Sequence, residues 1–190
     1  EQEVLFVARA DKRKLLAHLL EDPSVTRALV FTRTKRGADR VAQDLARIER
    51  VDAIHGNRSQ AQRERALASF RRGTTRVLIA TDLAARGIDV DGISHVINYE
   101  LPDDCESYVH RIGRTGRAGR AGTAITLVDP REHRHLRTIE RMTRQTIEIA
   151  QVPTVSDLKR RRLEQTAVAL REQLTSGGFE QARTLVTELA

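Results

Sequence analysis

A stretch of interleaved arginine and glycine carries the strongest chemical signal in the sequence. Its members are Arg111, Gly113, Arg114, Gly116, Arg117, Gly119, Arg120 and Gly122. No acidic residue lies between Glu106 and Asp129, so no carboxylate nearby in sequence neutralises these guanidinium groups. Guanidinium groups suit phosphate oxygens, and glycine lets a ligand approach the backbone closely. The stretch is therefore predicted to clamp phosphate groups.

The spacing within this stretch indicates a role in phosphoryl transfer. If residues 105–117 are helical, His110, Arg114 and Arg117 lie on one stripe, and Arg111 points elsewhere. Two guanidinium groups on one face could stabilise charge on a transferring phosphoryl group, as arginine fingers do. The alternative is a solvated basic face, which explains neither the glycines nor the missing acids.

Small polar residues follow three of the predicted strands, at the edge where an open α/β sheet collects its ligands. Thr34 follows one strand and precedes a helix, His55-Gly56 follows the next, and Thr81 follows a third. A threonine in such a place often serves only as a helix N-cap. Three such places on neighbouring loops favour contacts with a sugar–phosphate backbone.

Asp89 ends a polar segment, 80–90, between two β-branched residues. A carboxylate there could accept hydrogen bonds from ribose hydroxyl groups, as acidic residues do in nucleotide-binding folds. The alternative is an ordinary turn aspartate, because aspartate is common in turns.

Composition supports a polyanionic partner. The chain has 190 residues and a formal net charge of +7, most of it within residues 1–150. Aromatic residues make up only 3%, which disfavours a membrane-surface helix and leaves nucleic acid as the better prediction. A single cysteine, Cys105, excludes an internal disulfide and a cysteine-based zinc site, and it favours a cytoplasmic protein. No apolar run is long enough for a membrane span, and no metal site is predicted.

Apolar runs alternate with amphipathic stretches along residues 1–150, which predicts an α/β fold with a parallel sheet sandwiched by helices. The predicted strands are Val4–Ala8, Ala28–Phe31, Val51–Ile54, Val77–Ala80, His95–Asn98 and Thr123–Val128, with a further edge strand at Thr146–Val152. The predicted helices are Asp11–Leu20, Lys35–Ile48, Ser59–Phe70, Cys105–Ile112 and Arg131–Met142. Residues 151–190 are predicted to form an αα-hairpin whose helices are separated by Gly177-Gly178.

Parts of a nucleotide site are absent from the sequence. It contains no G-x-x-x-x-G-K-[ST] loop to hold the β and γ phosphates of a nucleotide. No acidic cluster adjoins a strand end in a way that would hold Mg²⁺. The chain is therefore predicted to contribute only one side of such a site, and its first residue, Glu1, suggests a fragment of a longer protein.

Several segments in this order resemble motifs of one enzyme family. They are Ala28-Leu-Val-Phe-Thr-Arg-Thr34, His55-Gly56, Ser59-Gln60-Ala-Gln-Arg63, Ala80–Val90 and Tyr108-Val-His-Arg-Ile-Gly-Arg-Thr-Gly-Arg117. Together they resemble motif IV, the glutamine-x-x-arginine motif, and motifs V and VI of the C-terminal RecA-like domain of DEAD-box ATP-dependent RNA helicases. The resemblance spans about residues 1–150, and the tail is similar to the helical extension of bacterial cold-shock-type members.

The resemblance implies a role for each matching residue. Arg114 and Arg117 would be the arginine fingers at the γ-phosphate of ATP, and Asp89 would bind the ATP ribose. His110 would bridge to the acidic motif of an N-terminal RecA-like domain. The residues implied to hold RNA phosphates and sugars are Thr34, Gly56, Arg63 and Thr81.

These implications define the expected function. The chain would be the C-terminal half of an RNA-stimulated ATP hydrolase that unwinds RNA, with residues 1–150 as the helicase domain and 151–190 as an extension. ATP would bind across the cleft between the two domains, and Mg²⁺ would be held mainly by the N-terminal domain. Because that domain would also supply the phosphate-binding loop, the isolated chain is predicted to be inactive. RNA recognition would depend little on sequence. The extension would either support a homodimer or pack onto its own domain. The alternatives are a non-enzymatic RNA-binding and dimerisation module and a DNA helicase.

Overall fold

The protein is described here from a computed structural model. The structure describes residues 1–117, 119, 121–152, 160, 163–164 and 166–172. The chain divides into two compact units, Glu1–Val152 and Pro153–Ala190. In the second unit, the described residues 160, 163–164 and 166–172 are helical. The second helix of the predicted hairpin and the Gly177-Gly178 break lie outside the described residues.

Strands and helices alternate through the first unit. The strands are β1 (Gln2–Phe6), β2 (Ala28–Phe31), β3 (Val51–Ile54), β4 (Val77–Ala80), β5 (His95–Asn98), β6 (Thr123–Val128) and β7 (Glu148–Ile149). The helices are α1 (Lys12–Leu20), α2 (Lys35–Leu45), α3 (Gln60–Arg72), α4 (Asp82–Ala85), α5 (Cys105–Ile112) and α6 (His133–Thr143), and a 3₁₀ turn at Pro130–Glu132 leads into α6.

Within the described residues, the strands form one seven-stranded sheet in the order β3-β4-β2-β5-β6-β1-β7, and each recorded pairing is parallel. Five of the predicted strands match the observed bounds. The first begins and ends about two residues earlier than predicted, because Gln2 pairs with Ala124 of β6. The predicted edge strand is reduced to the two residues of β7, which pair with β1.

The core has two layers, one on each face of the sheet. Alternate residues of β2 point to opposite faces, as the twofold period of a strand requires. Ala28 and Val30 pack with α1 and α2, while Leu29 and Phe31 pack with α3 and α4 on the other face. On that second face, α5 and α6 cover β1 and β6 through Tyr108 and other buried apolar side chains. Both faces are therefore covered, which is the arrangement of a RecA-like α/β sandwich.

A parallel sheet places the carboxyl ends of its strands at one edge, here called the carboxyl edge. The loops after β2, β3 and β4 begin there, and they contain Thr34, Gly56 and Thr81. Short connections lead from these loops into α2, α3 and α4. The fold therefore presents the predicted phosphate-binding residues on neighbouring loops.

Candidate nucleotide and RNA site

Helix α5 ends earlier than the stripe of basic residues requires. Its last residue is Ile112, and Gly113 is the C-cap, with its N–H donated to the carbonyl of Val109 at 2.9 Å. The chain then turns, because Arg114 donates its backbone N–H to the carbonyl of Arg111. The predicted helical stripe through Arg117 is therefore wrong, and the glycine explains why.

Arg111 does not belong to an open phosphate clamp. Its side chain is 1% exposed, and two guanidinium nitrogens donate to the Asp82 carboxylate, the longer contact being 2.7 Å. It also donates to the carbonyl of Glu100 at 2.7 Å and stacks over the Phe31 ring. The prediction that Arg111 belongs to the phosphate clamp is wrong, because the Asp82 carboxylate, remote in sequence, reaches it from another strand end. Arg111 fastens α5 to the carboxyl edge.

Arg114 and Arg117 lie against the same segment, Ile88-Asp89. Arg114 donates to the carbonyl of Ile88 at 3.1 Å, and Arg117 lies 3.4 Å from the Asp89 carboxylate. Asp89 is the most exposed member of this group, with 86% of its side chain accessible. Partial burial, followed by the neighbouring charge of Arg117, lowers the pKa of the Arg114 guanidinium. The structure thus brings together the three residues predicted to bind ATP.

An open cleft lies beside this cluster. It is lined by Arg114 and exposed His110 on one side and by Arg86 and Gly87 on the other, with Asp82 and Phe31 among its remaining residues. His110 lies in the last turn of α5. The cleft gives an anionic ligand access to Arg114 and His110 at once. Arg120 lies outside the described residues.

Gly122 allows the arginine-bearing turn to pack closely on the chain that enters β6. A Cβ atom at Gly122 would lie 2.2 Å from Thr115 Oγ1 and 2.3 Å from the backbone nitrogen of Gly116. Because a backbone atom is involved, a side chain there must displace the turn between Arg114 and Arg117. Glycine is therefore required at position 122 because the turn packs against its backbone, not because of glycine's conformational freedom.

Replacing Gly122 by alanine is expected to destabilise the fold by about 1–3 kcal/mol, the cost of overpacking. Urea unfolding of the chain measures this change. The matched control is Gly56→Ala, because a Cβ there would meet only the flexible end of Lys35, at 3.2 Å. Equal stability of the Gly122→Ala variant and the parent would show that the turn moves freely.

The predicted RNA-binding residues Thr34 and Thr81 line one groove. Thr34 caps α2 and accepts the N–H of Gly37 at 3.0 Å, which leaves its hydroxyl proton for a ligand. Thr81 precedes α4 and is 8% exposed, and within the described residues its hydroxyl makes no capping hydrogen bond. Lys35 and Arg36 line the same groove. Arg33 and Asp82 line it as well, so two hydroxyl donors, three cations and one carboxylate face one space.

Gly56 lies in a loop that side chains of α2 hold in place. Buried His55 lies 2.9 Å from Asp39, which also accepts a hydrogen bond from Arg58 at 2.7 Å. The hydrogen bond with His55 holds the pKa of the Asp39 carboxyl below its usual value, against the opposing effect of burial, and the charges of His55 and Arg58 lower it further. Lys35 reaches over the loop to Asn57. The backbone at Gly56 is consequently exposed but fixed.

Arg63 lies on α3 and contacts α4, the short helix that follows Thr81. Its guanidinium donates to the carbonyl of Ala84 at 3.4 Å, and its Nε is buried without a hydrogen-bond partner among the described residues. The structure therefore links α3 to α4, and it places the four predicted RNA-binding residues around the ends of β2, β3 and β4. Asp89 lies further along the β4–β5 connection that begins with Thr81.

Sequence reasoning missed several residues that position the site. Asp82 was recognisable as polar, but its bond to Arg111 joins residues that are 29 positions apart. In the sequence, the only indication for Asp39 was its place on the polar side of a predicted helix. Lys35 directly follows Thr34, and its position at a helix start was the only available indication.

Within the described residues, no group of three or more histidine, cysteine, aspartate or glutamate side chains could hold a metal ion. In the same part of the chain, no helix has the length and apolarity needed to cross a lipid bilayer.

Comparison with known proteins gives the family. Residues 11–119 match the family model of the helicase conserved C-terminal domain. RNA helicase CrhR of Synechocystis sp. is 44% identical over 100% of this chain and 39% of its own length. ATP-dependent RNA helicase DeaD of Mycobacterium tuberculosis is 47% identical over 96% of this chain and 33% of its own length. The chain thus spans between a third and two fifths of these relatives.

Solved structures agree with the family match. A DEAD box protein from the hyperthermophile Methanococcus jannaschii superposes with a TM-score of 0.74 and 44% identity, over 79% of this chain and 41% of that one. Dbp5 of S. cerevisiae, bound to RNA and ADP BeF3, superposes with a TM-score of 0.73 and 32% identity, over 87% of this chain and 44% of that one. The chain therefore belongs to the helicase conserved C-terminal domain family, as the C-terminal RecA-like domain of a DEAD-box RNA helicase.

Proposed function

We propose that this domain completes the ATP site of an RNA helicase by supplying two arginine fingers and a ribose contact. The observation that carries the proposal is the convergence of Arg114 and Arg117 on Ile88-Asp89 beside an open cleft. Arg114 and Arg117 would stabilise charge on the γ-phosphate in the transition state. The exposed Asp89 carboxylate would accept hydrogen bonds from the ribose hydroxyls.

The side chains around the cleft suit the phosphates of ATP but not the metal ion that accompanies them. Guanidinium groups match phosphate oxygens, whereas the described residues offer no cluster of metal ligands. Mg²⁺, when bound with ATP, neutralises phosphate charge, and we assign its ligands and the phosphate-binding loop to an N-terminal RecA-like domain. The relatives' greater length leaves room for such a domain. His110, exposed at the end of α5, would contact the acidic motif of that domain and couple nucleotide binding to closure of the cleft.

RNA would lie across the carboxyl edge. Thr34 and Thr81 would donate hydroxyl groups to phosphate oxygens, the backbone at Gly56 would approach the strand closely, and Arg63 would add a positive charge. The complex of Dbp5 with RNA and ADP BeF3 supports RNA as the ligand, because that protein shares this fold. Contacts of this kind read the backbone, so binding would be salt-sensitive and largely independent of sequence.

The proposal extends to the organisation of the chain. Residues 1–150 would act as the helicase domain, and 151–190 would form a helical extension that supports a homodimer. A cytoplasmic location is expected for such an enzyme. Sedimentation of the 190-residue chain and of a chain ending at residue 150 tests the extension, because only the longer chain is expected to dimerise.

ATP turnover by the isolated chain tests the division of labour between the two domains. We expect no turnover with or without single-stranded RNA, because the phosphate-binding loop is missing from the sequence. A protein that includes the N-terminal domain is expected to hydrolyse ATP when RNA is added. RNA-stimulated turnover by the 190-residue chain would mean that it holds a complete nucleotide site.

Thr81→Val is expected to weaken binding of single-stranded RNA roughly 10- to 150-fold, because a hydrogen bond to a charged phosphate contributes about 1.5–3 kcal/mol. Fluorescence anisotropy at low salt measures the affinity of the chain. Valine keeps the branched shape, and Thr81 makes no capping bond within the described residues, so the fold is expected to be unaffected. Thr138→Val on α6 is the control, since its hydroxyl bonds to its own helix. Equal losses in both variants would contradict the RNA contact.

A further inference from the structure

A second groove at the carboxyl edge is unusually rich in arginine. It has a volume of about 720 Å³ and lies at the starts of α1 and α2 and in the loop after β6. We call it the arginine groove and define it by Arg9, Arg13, Arg36, Arg40 and Arg131. Apart from the shared residue Arg36, these arginines lie outside both groups of site residues described above.

The carboxylates in the arginine groove are already engaged. Asp44 pairs with Arg13 at 3.3 Å, and Glu132 lies 3.6 Å from buried Lys12. Asp129 caps the turn that leads to α6 by accepting the N–H of Arg131 at 3.0 Å. These acids fix the walls of the groove.

Among the described residues, four of the five guanidinium groups, all but that of Arg13, have no such partner. Within the described part of the chain, no carboxylate lies within 4.0 Å of the guanidinium groups of Arg36, Arg40 or Arg131. Arg36 and Arg40 are four residues apart on α2, so they lie on one face of that helix. All three side chains are exposed. The groove therefore concentrates positive charge that the protein itself does not neutralise.

The arginine groove is continuous with the groove of Thr34 and Thr81. Arg33, Thr34 and Arg36 line both spaces. A strand that rests on Thr81 and Thr34 can therefore continue past Arg36 toward Arg40 and Arg131. Glu100 also lines this path, and its carboxylate accepts the backbone N–H of Arg33 at 2.8 Å.

We propose that the arginine groove binds the next phosphates of the same RNA strand, beyond those held by Thr34 and Thr81. This inference rests on the proposed RNA site and extends it. Arg40 and Arg131 would each neutralise one backbone phosphate. The contact would read charge and spacing, not sequence.

The test compares two single-stranded RNAs of different length. One is long enough only for the Thr34–Thr81 groove, and the other is about twice as long. Anisotropy titrations of the 190-residue chain at several salt concentrations give the slope of log affinity against log salt. The double variant Arg40→Gln/Arg131→Gln is compared with Arg47→Gln/Arg72→Gln, which removes the same charge from exposed positions elsewhere.

For the longer RNA, the Arg40/Arg131 variant is expected to lower the slope by about 1.4, which corresponds to two phosphate contacts on a single strand. The shorter RNA is expected to bind both double variants equally. If the parent binds both lengths with equal slopes, the extended path is overturned and the Thr34–Thr81 site stands. If neither RNA binds the parent at low salt, both the proposed RNA site and its extension are contradicted.

A polyglutamate peptide serves as the competing polyanion. Loss of peptide binding in the Arg40/Arg131 variant, with unchanged binding of the longer RNA, would overturn the proposal and assign the groove to an acidic protein partner. Circular dichroism of each variant excludes unfolding as the cause of any loss.

Discussion

ATP turnover by the full-length helicase is expected to fall by about 10³-fold or more when Arg114 is replaced by alanine, which is the scale of an arginine finger. The guanidinium of Arg114 lies beside an open cleft and is held by the carbonyl of Ile88. Alanine keeps the turn but removes the charge that would face the transferring phosphoryl group. Steady-state turnover with saturating RNA measures the effect.

Two comparisons separate a finger from a structural arginine. Arg72→Ala removes an exposed arginine at the end of α3 and is expected to leave turnover unchanged. Affinity of the Arg114 variant for RNA is expected to stay near that of the parent, because Arg114 does not line the Thr34–Thr81 groove. Near-normal ATP turnover in the Arg114 variant would contradict the proposal that Arg114 is an arginine finger. Loss of RNA affinity together with turnover would indicate damage to the fold instead.

The free energy of unfolding is expected to fall by different amounts when the Arg111–Asp82 pair is broken by replacing the aspartate or by replacing the arginine. Arg111 is 1% exposed, whereas the Asp82 side chain is 39% exposed. Asp82→Asn leaves a buried cation that cannot lose its charge, so we expect a cost of about 3–5 kcal/mol. Arg111→Met fills much of the same volume and leaves a carboxylate that water can reach, so a cost of about 2 kcal/mol is expected. Urea unfolding of the 190-residue chain gives both values.

A variant with both substitutions completes a double-mutant cycle for this pair. Asp82→Asn with Arg111→Met is expected to be more stable than Asp82→Asn alone, because no charge is then left buried. The surface pair Arg13–Asp44 is the control, since its side chains are 56% and 31% exposed and Asp44→Asn is expected to cost at most about 1 kcal/mol. Equal costs for Asp82→Asn and Asp44→Asn would show that burial of Arg111 does not matter.

Much of the fold is predictable from the sequence because its strands are buried on both faces. Runs such as Val77–Ala80 are continuously apolar, so their bounds are visible in the residue types alone. Helix α4 was missed, because four residues are too few to show a helical period. The predicted helix Cys105–Ile112 matches α5, and only the extension of the helical stripe to Arg117 was wrong, although Gly113 was the available stop signal.

The site was predictable only where a residue's type already implies its chemistry. Thr34 and Thr81 follow the ends of strands and Asp89 ends the polar segment 80–90, so local sequence was enough to select them as candidates. The role of Arg111 was not predictable, because Asp82 and Glu100 approach it only after three strands have paired. The arginine groove had no local signal either, since Arg40 and Arg131 are 91 residues apart and meet through the fold.

The position of β1 in the sheet has a consequence for synthesis on the ribosome. β1 pairs with β6 on one side and β7 on the other, and Gln2 is in register with Ala124. Within this domain, β1 must therefore wait for more than a hundred further residues before β6 is made, or roughly ten seconds at about 5–20 residues per second. Until then Val4 and Leu5, both fully buried in the finished domain, remain exposed. A nascent chain stalled before β6 would accordingly be a substrate for chaperones, while one stalled after β7 would already hold its first strand in place.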